Sequence, residues 1–384
     1  MTIEIFSINF HLFELPFIVF LLGAAIWRLL QEGTAVQLSD AKPVRLFFVL
    51  LIVYIFLVQL SIVNAIAPIM VFKSVFKWLE VLLVTLLVFF YVSDQQKFKN
   101  IYWFLFWFNF SGLAYIYIQI IMGNKNILEY RLFSSFQFVL VYGMIFPIYL
   151  KTFKKALLIL LLIITTAIML SLSRLLYLSA FIVTIVSLWH FSHKRRQVAI
   201  LFFPFITLLL FITIRYPEVF SRLFTFFSPK SGSNQERMTL FWLSLLAFSQ
   251  HPFIGIGSLN FQDFYEKAGI PFGYSVENLF QLPNPHNTFL QIAAEEGVFA
   301  LLVFSALVLL GFYLLNKHSK RRIISTDYMC GLQNFYLILF FTLFVGFISF
   351  QNRINLSVIW GIALALLRFS DQKIIANRET KDDA

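Results

Sequence analysis

The stretch GVFALLVFSALVLLGFYLLN at 297–316 decides the fold class, because it runs for twenty residues without a charge. A helix rising about 1.5 Å per residue covers roughly 30 Å over that length, which is the thickness of a bilayer's hydrocarbon core. Runs of the same kind recur near 11–30, 46–66, 76–93, 101–121, 132–150, 155–171, 174–191, 197–214, 333–350 and 353–370. They are continuous rather than alternating, which excludes a β-barrel and leaves a helix bundle to satisfy the backbone in lipid. The composition agrees. Hydrophobic residues make up 60% of the 384 and charged residues 13%, about half the charged share of soluble domains. The expectation is an all-α, polytopic transmembrane helix bundle of about 11–12 spans.

A net charge of +11 raises the question of nucleic acid, but the basic residues lie between spans. They cluster at Arg28, Lys42 and Arg45; at Lys97 and Lys99; at Lys151, Lys154 and Lys155; at Lys194, Arg195 and Arg196; at Lys317, Lys320, Arg321 and Arg322; and at Lys373 and Arg378. Every second connection is basic, the pattern of cytoplasmic segments. That phase places the N-terminus outside, the C-terminus inside and residues 215–296 outside. Lys73 and Lys77 run against it. Three regions follow: transmembrane helices over 1–214, an outer loop over 215–296, and transmembrane helices with a cytoplasmic tail over 297–384. The acidic opening MTIEIFSINF, with no cleavage site after the first apolar run, predicts a retained first span. The single cysteine, Cys330, reads as a small buried apolar residue.

The loop is too long and too structured to be a linker. RMTLFWLSLLAF at 237–248 has helical patterning but is too short to span, so it lies on the membrane surface or packs over the bundle. HPFIGIG at 251–257 carries Gly255 and Gly257 without a strand-to-helix context, so it predicts a tight turn that lets backbone approach a ligand or another helix. No HExxH, Cys-x-x-Cys or Asp-rich loop offers ligands to a metal ion.

In NPHNTFLQIAAEEG at 284–297, Asn284 is read as the helix N-cap, Pro285 as the first helical residue and Gly297 as a break before the span. His286 then falls in the first turn, where the helix dipole keeps the imidazole neutral and fit to act as a general base. A solvated or structural histidine is the alternative. Glu295 and Glu296 project from other faces and read either as a water-facing acidic pair or as ligands for sugar hydroxyls. Arg174, in SLSRLLYLSAF, sits at the predicted outer end of a span, where it either snorkels to the headgroups or binds phosphate through its planar fork. Arg237, Arg215 and Arg222 add positive charge to the same outer region, enough to suit a pyrophosphate.

SLSRLLYLSAF, the ordered series ERMTLFW, HPFIGIG and SLNF, and PHNTFLQIAAEEG before an apolar span together resemble the bacterial O-antigen ligases and the related O-antigen and capsule polymerases. The resemblance covers roughly residues 155–315. It implies a glycosyltransferase C-type bundle in the inner membrane, with a periplasmic active site, that uses an undecaprenyl-pyrophosphate-linked glycan as donor, inverts the anomeric centre and needs no metal or other cofactor. It assigns His286 as the base for the acceptor hydroxyl and Arg174 and Arg237 to the donor pyrophosphate, with Arg215, Arg222, Asn287 and Glu295 in support. The acceptor is a lipid-linked repeat unit for a polymerase and lipid A core for a ligase. Membrane lipids and a chain-length regulator are the further partners, with no nucleic acid. Polymerase is the favoured reading, ligase the alternative, and a lipid-linked-oligosaccharide flippase the alternative of another class.

Overall fold

The computed structural model describes residues 2–5, 8–11, 42–121, 131–170, 174–191, 232–268, 285–321, 324–345 and 352–367. These residues are overwhelmingly helical. The helices are α1 (Lys42–Leu60), continued by a 3-10 turn over Ser61–Asn64, α2 (Pro68–Tyr91), α3 (Gln95–Ile121), α4 (Arg131–Thr152), α5 (Lys155–Leu170) and α6 (Arg174–His190). After these come α7 (Gly232–Gln250), α8 (Phe261–Ala268), α9 (Thr288–Arg321), α10 (Thr326–Val345) and α11 (Asn352–Leu367). A small antiparallel hairpin, β1 (Thr2–Ile5) with β2 (Ile8–His11), precedes them and leaves the class all-α. Lys42–Asn64, Pro68–Tyr91 and Thr288–Ser319 are each long and apolar enough to cross a membrane. Shorter apolar helices cover Phe136–Thr152, Lys155–Ile168, Leu176–His190 and Asn352–Leu367. The spans expected near 11–30 and 197–214 lie outside the described residues.

The chain divides into two compact units, each assembled from separated segments. The first holds Met1–Lys97, Gly232–Leu314 and Leu343–Ala384. Within it α1 and α2 run antiparallel, with Phe48 against Phe89 and, at the other end, Tyr54 against Trp78 at 4.6 Å. The α2 and α11 helices run parallel: Glu80 pairs with Arg353, Thr85 donates to the Ser357 carbonyl, and Gly361 lets Val88 approach. The Glu80–Arg353 pair, at 3.8 Å, is almost wholly buried, a setting in which removing either partner strands a charge. Alternating basic connections assign α2, α9 and α11 one common direction across the membrane. The parallel packing of α2 with α11 agrees with that alternation.

The second unit holds Phe98–Ser231 and Leu315–Thr342. Tyr102 donates to the Met144 carbonyl at 2.7 Å and meets Tyr328 edge to face. Asn334 donates to the Gly143 carbonyl and to Ser187. A side chain at Gly143 would press on the tip of Ile338, so glycine there eases the close approach of α4 and α10. Cys330 is a free, buried thiol in this packing, as expected of a small apolar residue. Lys151 and Asp327 form an ion pair at 2.8 Å.

Candidate active site

The site is built around a break in α9. Gly297 has φ 86 and ψ 179, conformations outside the helix, so Thr288–Glu296 forms a short arm ahead of the span. A Cβ on Gly297 would strike the Phe253 carbonyl, so this position requires glycine for space as well as for its positive φ. Breaking a helix frees backbone groups that would otherwise bond within it. The loop 251–260 takes them up. Ile256 N–H donates to the Ala294 carbonyl at 3.0 Å, Gly257 N–H to the Glu295 carbonyl at 2.9 Å, and Val298 N–H to the Pro252 carbonyl at 2.8 Å. Gly255 and Gly257 also have positive φ, and a Cβ on Gly255 would overlap the Glu295 backbone. The HPFIGIG turn therefore exists to bring backbone against another helix, one of the two uses its glycines predicted.

Glu295 and Glu296 do not face water. Both are buried, and both carboxylates are held by the loop and its neighbours. Glu295 accepts from the Phe261 N–H that opens α8, at 3.1 Å, and from Gln291 at 3.1 Å. Glu296 accepts from the Tyr54 hydroxyl and the Ser258 hydroxyl, each at 2.7 Å. The Ser258 oxygen lies 2.8 Å from Ser74, whose hydroxyl can donate to it once Ser258 has given its proton to Glu296. The turn joining α1 to α2 contributes as well. Ser258 N–H donates to Ser61 at 3.0 Å, Asn64 donates to the Gly255 carbonyl at 3.1 Å, and Asn260 bonds both N–H and C=O of Ala67. A side chain at Gly257 would press on Ala65.

The cap of the arm differs from the expectation. Asn287, not Asn284, closes the helix: its side-chain oxygen accepts from Leu290 N–H at 3.0 Å and its carbonyl from Gln291 N–H. Asn284 lies outside the described residues. Helix α9 starts at Thr288, so His286 precedes the first turn instead of sitting in it. It adopts φ 49, a left-handed conformation that costs a non-glycine residue about 1 kcal/mol or more. The surrounding structure must therefore over-determine it. His286 is half-buried, and its pKa is lowered, first by burial and then by the positive charge of Arg237. The ring stays neutral as expected, but through desolvation and an arginine rather than through a helix terminus.

Arg237 itself is exposed, in α7. One face of α7 buries Leu240, Leu243 and Ala247 with Ile256, Phe261, Phe264 and Ala294. The opposite stripe, Met238, Phe241, Trp242 and Leu245, is exposed and apolar. Phe253 stacks on Phe299, and further along α9 Leu302 and Leu309 are also exposed.

The structure thus brings His286 and Arg237 into one electrostatic environment, and Glu295 into the hydrogen-bonded scaffold of the arm. Arg174 begins α6 in the other unit, and its side chain, with Arg215 and Arg222, lies outside the described residues. Tyr54, Ser61, Asn64, Ser74 and Ser258 are the residues that sequence reasoning missed. Short polar side chains in apolar runs give no local signal of a partner some two hundred residues away.

Residues 156–305, about two-fifths of the chain, match the family model described as O-antigen ligase. None of the curated proteins compared matches the chain.

Proposed function

From the match of residues 156–305 to the O-antigen ligase family model, we propose a membrane glycosyltransferase that polymerises lipid-linked repeat units. The donor is a glycan on undecaprenyl pyrophosphate, and the acceptor is the non-reducing end of another lipid-linked repeat. The observation that carries this reading is a half-buried His286 within the field of Arg237, a ring whose pKa is lowered in the environment of a cation suited to phosphate.

In this mechanism His286 takes the proton of the acceptor hydroxyl as its oxygen attacks the anomeric carbon. The new glycosidic C–O bond forms as the C–O bond to pyrophosphate breaks, and the leaving group departs with the electron pair. Attack from the opposite face inverts the centre. Arg237 stabilises the charge that develops on the pyrophosphate, and the family resemblance assigns Arg174 the same role, with Arg215 and Arg222 in support and no divalent ion required. Asn287 caps the arm that carries the base. The outward stripe of α7 suits a helix resting on the outer leaflet of the inner membrane, which would put Arg237 at the depth of lipid phosphates. The site then faces the periplasm.

A second reading, transfer of the finished glycan to lipid A core, is favoured by the description of the matching family as a ligase. It shares the donor chemistry. Glycan length on lipid A in a strain lacking the gene separates the two. A single repeat unit supports the polymerase, absence of glycan supports the ligase, and an unaltered ladder overturns both.

A further inference from the structure

Among the described residues, the loop at the break in α9 is bonded repeatedly to one place, the α1–α2 corner and the helix faces beside it. Tyr54 bonds Glu296, Ser61 and Ser74 bond Ser258, Asn64 bonds the Gly255 carbonyl, and Ala67 bonds Asn260. These residues precede the family-matched segment, which begins at 156. A buried carboxylate is costly unless every hydrogen bond to it is made.

We propose that Tyr54, acting through Glu296 and Ser258, is a positioning residue for His286. The arm Thr288–Glu296 is a rigid lever carrying His286 just beyond one end and the Tyr54–Glu296 bond at the other. Nine helical residues make that lever about 13 Å long. A tilt of roughly 5° at its base therefore moves the histidine by about 1 Å, a displacement that can cost about a hundredfold in rate. Gly297 permits such a tilt because the helix is already broken there; the bonds from Tyr54 and Ser258 to Glu296 and the loop-to-arm backbone bonds oppose it. The sequence alone gives His286 no fixed relation to Arg237. The network supplies it.

This assignment rests on His286 as the base, and the test separates the two claims. Tyr54→Phe removes one hydroxyl and keeps the ring that packs on Trp78 and Phe304. The full-length protein is purified and assayed with lipid-linked glycan extracted from membranes of a strain lacking the gene. The expected result is a kcat lowered at least tenfold with the donor KM changed less than twofold. In parallel, diethyl pyrocarbonate, which modifies neutral imidazole, is reacted across a pH series and His286 labelling is read by mass spectrometry. Arg237 on α7 is the charged group whose field acts on this ring, so an arm that tilts away from it should shift the labelling midpoint upward in Tyr54→Phe. A kcat and a labelling midpoint both unchanged would overturn the proposal. So would a loss of activity that follows only the folded fraction while the midpoint stays put. Should Tyr54→Phe fail to fold, Ser258→Ala replaces it, with Ser258→Thr expected to restore both readouts. An active His286→Ala would defeat the base assignment itself, whatever Tyr54→Phe does.

Discussion

The charge of Arg237 reaches the ring of His286, forty-nine positions later in sequence, and together with burial it holds the imidazole's pKa below its ordinary value. A base whose folded pKa is depressed is competent above that pKa and is lost as pH falls through it. The pH profile of kcat/KM should therefore keep its plateau below the usual histidine range and fall only at more acidic values. Arg237→Gln removes part of the cause, so its acidic limb should move upward. A limb at the ordinary histidine position in the native enzyme, unmoved by Arg237→Gln, would remove His286 from the role of base.

His286→Ala should insert and fold, because the residue lies outside the helix and is only half-buried. Donor binding should survive while transfer falls by about 10² to 10⁴, the usual contribution of positioned proton transfer. Polymer formation by normally expressed variant, compared with native protein in the same deletion strain, measures this.

The arginines assigned to the pyrophosphate should differ in their tolerance. Arg174→Lys keeps the charge and loses the planar fork, so it should impair transfer, and Arg174→Ala should impair it more. Arg237→Ala should be milder, since that residue is exposed and its interactions are partly screened by solvent. Initial rates against donor concentration report the effect, and an Arg174→Ala enzyme at the native rate would make that residue a membrane anchor.

Gly297→Ala tests the break directly. The new methyl must displace the Phe253 carbonyl and occupy a positive φ, so unfolding should shift by ~2 kcal/mol or more, read as a lowered thermal midpoint in detergent. Gly331→Ala, where the intruding group would meet the Tyr102 hydroxyl in the second unit, is the comparison. It should lower stability without altering the pH limb.

Turnover should persist in excess EDTA, since the proposed leaving-group stabilisation comes from arginine. Activity that disappears with chelator and returns with magnesium or manganese would overturn that part of the mechanism.

The fold was largely legible because a span needs a continuous apolar run, and a run such as 297–316 has few other uses. The break at Gly297 was legible for the same reason, as it stands between an acidic pair and that run. The cap was not. Asn284 and Asn287 offer the same chemistry three residues apart, and Pro285 favoured the wrong one; which asparagine closes the arm depends on where the loop holds it. Glu295 and Glu296 could be read only as a water-facing pair or as sugar ligands because their partners, Tyr54, Ser258 and the Phe261 N–H, are separated from them by 34 to 242 positions. Local pattern carries no trace of such bonds. The helical character of 237–248 was legible, while its two apolar faces, one buried and one exposed, emerged only once its neighbours were in place.

The bond between Tyr54 and Glu296 also fixes an order of assembly. A ribosome makes the chain from its N-terminus, so Tyr54 enters the membrane with α1 while its acceptor, 242 positions behind, does not yet exist. Ser61, Asn64 and Ser74 wait in the same way for residues 255–260. The arm that presents His286 is therefore fastened only after most of the polypeptide has been inserted. A nascent protein interrupted before that point would hold its first helices in the bilayer and still have no fixed place for His286.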